Sequence, residues 1–119
     1  MAALTTDEIT SVEAAESSAS IRERVEAARQ IQRDRYRRAT ILCNAEMTTR
    51  HMRRYCELDA ASRRLLISAI DRLGLSARAH DRILKVARTI ADLAAEEKVD
   101  ASHVAEAVQY RALDRAYFR

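Results

Sequence analysis

Apolar residues return at helical spacing along most of this chain, and β-branched residues never gather into the repeated runs that strands require. Ile21, Val25, Ala28, Tyr36 and Ala39 fall on one helical face. Ser20 with Glu23 reads as a capping box ahead of that face, so a first helix is predicted from Ser20 to about residue 42. Asn44 can take the left-handed turn after it, and Thr48 or Thr49 can cap a short helix through Met52 to Tyr55.

The second half of the chain is more sharply punctuated. Asp59 caps a helix whose Leu65, Leu66, Ala69, Ile70 and Leu73 make a broad apolar face, and Gly74 stands where a left-handed residue must close it. Ser76 opens the next helix, with Ala79, Ile83, Val86, Ala87, Ile90 and Leu93 on its inner side, until Glu96, Glu97 and Lys98 break the pattern. Its length and apolarity make it the expected central helix. Asp100 caps a last helix, Val99 and Val104 are spaced as a hydrophobic staple, and Ala107, Val108 and Tyr110 supply its packing surface. The fold class predicted is all-α, a compact antiparallel bundle of four to five helices.

Composition agrees and narrows the chemistry. A chain of 119 residues with 48% hydrophobic positions has the material for one modest core, and with Gly 1 and Pro 0 it lacks the turns of hairpins and sandwiches. Residues 1–19 are acidic, rich in Ala, Ser and Thr, and weakly patterned; they read as a linker or flexible segment ahead of a helical domain over residues 20–119. A single glycine cannot build a G-x-x-x-x-G-K-[ST] phosphate loop, so self-contained phosphoryl transfer is excluded and a helper or a binder is left. Trp is absent and aromatics make up 4%, which leaves little for stacking bases.

Charge is close to balanced, Lys+Arg 21 against Asp+Glu 18, but seven arginines crowd residues 21–38: Arg22, Arg24, Arg29, Arg33, Arg35, Arg37 and Arg38. Their glutamate neighbours and their scatter around the helix suit a solvated face better than a nucleic-acid surface. His51, His80 and His103 never fall three or four apart, so no metal site is expected and capping or surface roles are. Cys43 and Cys56 have no metal-spaced partners and read as small packing residues. With no signal peptide and no apolar run of membrane length, a reduced, cytoplasmic protein with no membrane partner is expected. Arg88 and Asp92 are spaced for a local helix pair.

The most informative position is Arg78. In Gly74-Leu75-Ser76-Ala77-Arg78 an arginine sits in the first turn of a helix, where the macrodipole disfavours a cation by about 0.3–1 kcal/mol unless an anion is shared between guanidinium and backbone N–H groups. Arg82 and Lys85 extend a basic stripe along a similar face. Spacing alone leaves two partners open for Arg78: a phosphate, or a carboxylate such as Asp81.

The run Gly74-Leu75-Ser76-Ala77-Arg78-Ala79, followed by Asp81 through Leu93, resembles the C-terminal domain of magnesium-chelatase-like AAA+ ATPases. Ser17-Ser18 leading into Arg22 to Val25, Asn44-Ala45-Glu46, Tyr55 to Asp59, His103 to Ala107, Gln109 to Arg111 and Leu113 to Arg115 resemble it as well, so the likeness spans roughly residues 17–115. The nearest branch is the bacterial competence-associated group. The resemblance implies a helical lid in which Ser76 and Arg78 stand at the sensor 2 position, Arg78 meeting the γ-phosphate of ATP with Arg82 and Ser76 beside it. It implies ATP and magnesium bound by a preceding AAA+ core rather than by this chain, assembly of the parent into a ring of hexamer type, and ATP-driven work on DNA during recombination. A fragment without the core would hold no cofactor and hydrolyse nothing alone. Two other readings stand beside it: a small basic bundle gripping DNA phosphates, and a helical oligomerisation module.

Overall fold

The computed structural model describes the backbone of residues 16–117 and the side chains of residues 16–113. Residues 1–15, the greater part of the acidic segment, lie outside the described residues. Five α-helices and one 3-10 turn follow in order: α1 Ser18–Arg35, the turn Asn44–Glu46, α2 Thr49–Tyr55, α3 Ala60–Leu73, α4 Ala77–Leu93 and α5 Ala101–Tyr117. No strand occurs among the described residues, and the all-α bundle expected from the pattern is the fold.

The local stops and starts follow from single residues. Asp59 accepts the Ser62 N–H at 2.7 Å, Ser76 accepts the Ala79 N–H at 3.2 Å, and Asp100 accepts the Ser102 and His103 N–H groups at 2.9 and 3.2 Å. Thr48 and His51 cap α2 reciprocally. Gly74, at φ 61°, ends α3 in the left-handed conformation that a residue without Cβ adopts at no steric cost.

The first helix departs from its prediction at both ends. Its cap is Ser17, which accepts the Ser20 N–H at 3.0 Å, so Ser20 lies inside the helix and forms no capping box with Glu23. It stops at Arg35, short of residue 42. Tyr36 and Ile41 are both buried; five residues apart on a helix they would point about 140° away from each other, so the chain must leave the helix to bring both into one core. Nor does Asn44 adopt a left-handed turn. Ala95 is the one described residue other than glycine with positive φ, and Asn44 instead opens the 3-10 turn with its side chain buried.

Helix α4 is the hub, packing on α5, α1, α2 and the 3-10 turn, while α3 packs on α5. Leu66 of α3, Ile83 of α4 and Val104 of α5 are the largest fully buried apolar side chains, and the core continues through Tyr36, Ile41, Met47, Met52 and Cys56. Four positions on the predicted apolar faces are not covered: Ile21 is 45% exposed, Val86 39%, Leu93 41% and Tyr110 54%. Each sits where its helix's apolar face is wider than the neighbouring helices reach. No helix among the described residues is long and apolar enough to cross a membrane.

Candidate functional site

Two constellations on α4 account for its polar chemistry, one at each end. At the N-terminal end, Gly74 reverses the chain, the Leu75 N–H returns to the Ile70 carbonyl at 3.0 Å, and Ser76 caps the next helix. Ser76 therefore spends its hydroxyl on the Ala79 N–H, one of the four first-turn donors that an α-helix leaves unmatched. Arg78 follows in that first turn. Its side chain is exposed and makes no hydrogen bond or ion pair among the described residues. Asp81, the nearby carboxylate, pairs with His80 at 3.1 Å instead. Arg82, one turn on, is likewise exposed and without an ion pair among the described residues. Lys85 leaves the stripe: its Nζ donates to the Ala45 carbonyl at 3.2 Å, tying α4 to the 3-10 turn. The structure thus brings Ser76, Arg78 and Arg82 to one end of the bundle with two guanidinium groups turned to solvent, an arrangement that can receive a phosphate by charge-assisted, bidentate contacts.

At the other end lies a buried cluster. Asp92, with a fully buried side chain, receives Arg35 through both oxygens: Nη2 donates to Oδ1 at 2.7 Å and Nη1 to Oδ2 at 2.8 Å. Asn44 Nδ2 donates to the same Oδ2 at 2.8 Å and to Thr89 Oγ1 at 3.0 Å, while Asn44 Oδ1 accepts the Tyr36 hydroxyl at 2.6 Å. Arg88, also buried, stands 3.1 Å from Asp92 Oδ1 and donates to the carbonyls of Tyr55, Glu96 and Glu97 at 3.1, 2.8 and 2.9 Å. The expected local helix pair of Arg88 with Asp92 forms, and it is one edge of a buried network joining α1, the 3-10 turn, α4 and the loop before α5. Arg35 is drawn out of the solvated arginine face by the same contacts. Its hydrogen bond to Asp92 raises its pKa further against the opposing cost of burial, and burial pushes the Tyr36 phenol up to about 12.

The histidines cap. His51 Nδ1 accepts the Thr48 N–H at 3.1 Å and His103 Nδ1 accepts the Asp100 N–H at 3.0 Å, and no group of three His, Cys, Asp or Glu among the described residues is placed to hold a metal. Cys56 is buried, its thiol pushed by burial up to about 11, with Met47 Sδ 3.9 Å from its sulfur. Cys43 is half-buried.

The fold and site define a small all-helical domain whose central helix opens on a capped, arginine-bearing first turn. Residues 15–111 match the family described as magnesium chelatase, subunit ChlI C-terminal, and the chain belongs to that family. Among curated proteins it is 46% identical over 100 residues to the uncharacterized protein YifB of Salmonella typhimurium and 43% identical over 100 residues to the competence protein ComM of Haemophilus influenzae, each alignment covering 84% of this chain and 19% of the relative. An uncharacterized Mycobacterium tuberculosis protein is 36% identical over 96 residues, 81% of this chain and 19% of its own length. The chain therefore spans about one fifth of the length of these relatives. No solved structure matches it.

Proposed function

We propose that this chain is the lid of a magnesium-chelatase-like AAA+ ATPase and that Arg78 reads the terminal phosphate of ATP held by the AAA+ core of the same protein, with Arg82 and the Ser76 cap shaping the approach. The observation that carries this reading is the state of Arg78: a cation in the first turn of a helix, exposed, with the neighbouring carboxylate Asp81 engaged by His80. A guanidinium placed against the helix dipole gains most from a bound anion.

Two guanidinium groups can grip one phosphate but cannot envelop a nucleotide, so the adenosine and the remaining phosphates belong to the core. Nor do the described residues group the carboxylates that a magnesium ion would need; this chain's part is to recognise phosphate charge and to transmit it. A second feature supports docking on a larger body. Along α4, beyond Arg82, runs an open groove of about 540 Å³ that includes Lys85, Val86, Ile90, Leu93 and, from α5, Tyr110. Apolar surface left open in this way is what an interdomain contact covers. The buried Asp92 cluster then provides rigidity, so that a force applied at Arg78 moves the bundle as a body.

The larger reading follows the relatives. One of them is a competence protein, which supports a reading in which the parent of this chain works in DNA processing; we propose ATP-driven branch migration by a homo-oligomeric ring, a hexamer, in the cytoplasm. The test is ATP turnover by the full-length protein carrying Arg78→Ala, read beside the thermal unfolding of the same variant. Loss of turnover with unchanged unfolding supports the sensor role, and full turnover removes it.

A further inference from the structure

A third feature lies between the C-terminal end of α1 and α2. Arg35 lines it and binds Asp92, which follows Arg78 by fourteen residues, about 21 Å along the helix. The cleft is about 780 Å³ in volume, and its walls carry the guanidinium groups of Arg35, Arg37, Arg38, Arg50 and Arg54 against a single carboxylate, Asp34. Arg35 is already neutralised by Asp92. Asp34 is shared between Gln30, at 3.0 Å, and Arg37, at 3.4 Å. That leaves Arg38, Arg50 and Arg54, all exposed, without a carboxylate among the described residues, although the chain contains 18 acidic side chains. Like charges gathered in a concave surface repel one another and focus a positive field into it, so the arrangement is relieved by an anion of several charges.

The chemistry of that anion can be read from the groups that line the cleft. It has two rings: Tyr55, with two guanidinium carbons already within stacking distance, Arg54 at 5.3 Å and Arg35 at 5.8 Å from its centroid, and His51, which stands edge to face with Tyr36 at 6.4 Å and accepts the Thr48 N–H through Nδ1. The groups available include guanidinium forks and the Thr40 hydroxyl, which match phosphate oxygens. We infer that this cleft binds the phosphodiester backbone of a nucleic acid through Arg38, Arg50 and Arg54. The inference stands apart from the sensor role of Arg78, since neither Arg78 nor Arg82 lines the cleft.

The experiment is fluorescence anisotropy of a labelled duplex of roughly twenty base pairs, and of one of its single strands, titrated with this chain at several salt concentrations. Three phosphate contacts predict a slope of log affinity against log salt near −3 for the duplex, from about −0.9 per contact. The double variant Arg50→Ala with Arg54→Ala, unfolding at the temperature of the wild type, is expected to lose about two units of that slope and at least tenfold in affinity at moderate salt. Arg50→Lys with Arg54→Lys restores most of the slope. Arg78→Ala with Arg82→Ala leaves the duplex binding unchanged. Equal binding by the Arg50/Arg54 double variant, or an equal loss in the Arg78/Arg82 variant, would overturn the inference. Displacement of the duplex by ATP at tens of micromolar would reassign the cleft to a free nucleotide and overturn it as well. A failed duplex titration beside an Arg78→Ala ring that no longer turns over ATP would sink the cleft alone.

Discussion

Replacing Asp92 by Asn removes one charge and almost no volume, and it falls at the point where four regions of the fold are joined. Of the four short contacts to the carboxylate, two reach each oxygen: Arg35 and Arg88 on Oδ1, Arg35 and Asn44 on Oδ2. An amide can present its oxygen to only one of these pairs, so its NH₂ must face two donors on the other side. The Arg35 and Arg88 side chains, 12% and 4% exposed, are then left with no anion. Removing one partner of a buried ion pair costs about 3–5 kcal/mol, chiefly because the other charge stays desolvated. That is a large share of the roughly 5–15 kcal/mol that holds a domain of this size. Urea unfolding followed by far-UV circular dichroism measures it directly, and by heat the midpoint is expected to fall by roughly 12–40 °C. Asp71→Asn, exposed on α3, is the control and should stay within about 0.5 kcal/mol of the wild type. A loss below about 1 kcal/mol in the Asp92 variant would mean that the cluster is wetter and looser than its geometry states.

Three further outcomes follow from local structure. Ala95 sits at φ 56° just past the end of α4, with the Glu96 N–H bonded back to the Ala91 carbonyl at 2.8 Å; Ala95→Gly should relieve that strain and raise stability by about 0.5–1 kcal/mol in a denaturant titration, and a decrease would argue against the left-handed geometry. Burial holds the Cys56 thiol and the Tyr36 phenol protonated, at about 11 and 12 against ordinary values of 9.0 and 10.0. Because the folded state prefers the neutral forms, the stability they contribute is intact below pH 9 and is lost as pH rises toward 12; a flat alkaline profile between pH 9 and 11 would contradict it. Asp59 and Asp100 are held below the usual carboxylate value of 3.8, Asp59 first by the Ser62 N–H it accepts and Asp100 first by the Ser102 hydroxyl. Their stabilisation is present above pH 4 and disappears as pH falls through their folded values, so Asp59→Asn with Asp100→Asn should flatten the acid limb of the unfolding curve.

The parts of the fold legible in the sequence are those decided within a few residues. Asp59, Ser76, Thr48, Asp100 and Gly74 each act on a backbone group no more than about four positions away, and each occupies the role its neighbours predict. Ser17 displaced Ser20 as a cap because two serines three apart present the same local signal. What periodicity cannot show is a partner distant along the chain. Arg35 and Asp92 are 57 residues apart and Asn44 and Asp92 are 48 apart, so Arg35 looked like one more solvated arginine and Asn44 like a turn residue. Arg88 and Asp92 were visible as a pair, but spacing carries no information about depth. The arginines around the α1–α2 cleft were dispersed for the same reason: Arg38 and Arg50 meet only after the chain leaves the helix at Tyr36. An arginine and an aspartate embedded in the apolar face of the central helix were the available signal, since such groups survive burial only when paired.

The most direct measurement is steady-state ATP hydrolysis by the full-length protein with and without Arg78→Ala, at a magnesium and nucleotide concentration that saturates the wild type. Removing one preorganised cationic contact to a transferring phosphoryl group is expected to lower turnover by about 10²–10³-fold, with unfolding of the domain unchanged because the exposed Arg78 side chain makes no hydrogen bond or ion pair among the described residues. Turnover within a factor of two of the wild type would contradict the assignment of Arg78 as the phosphate-reading residue.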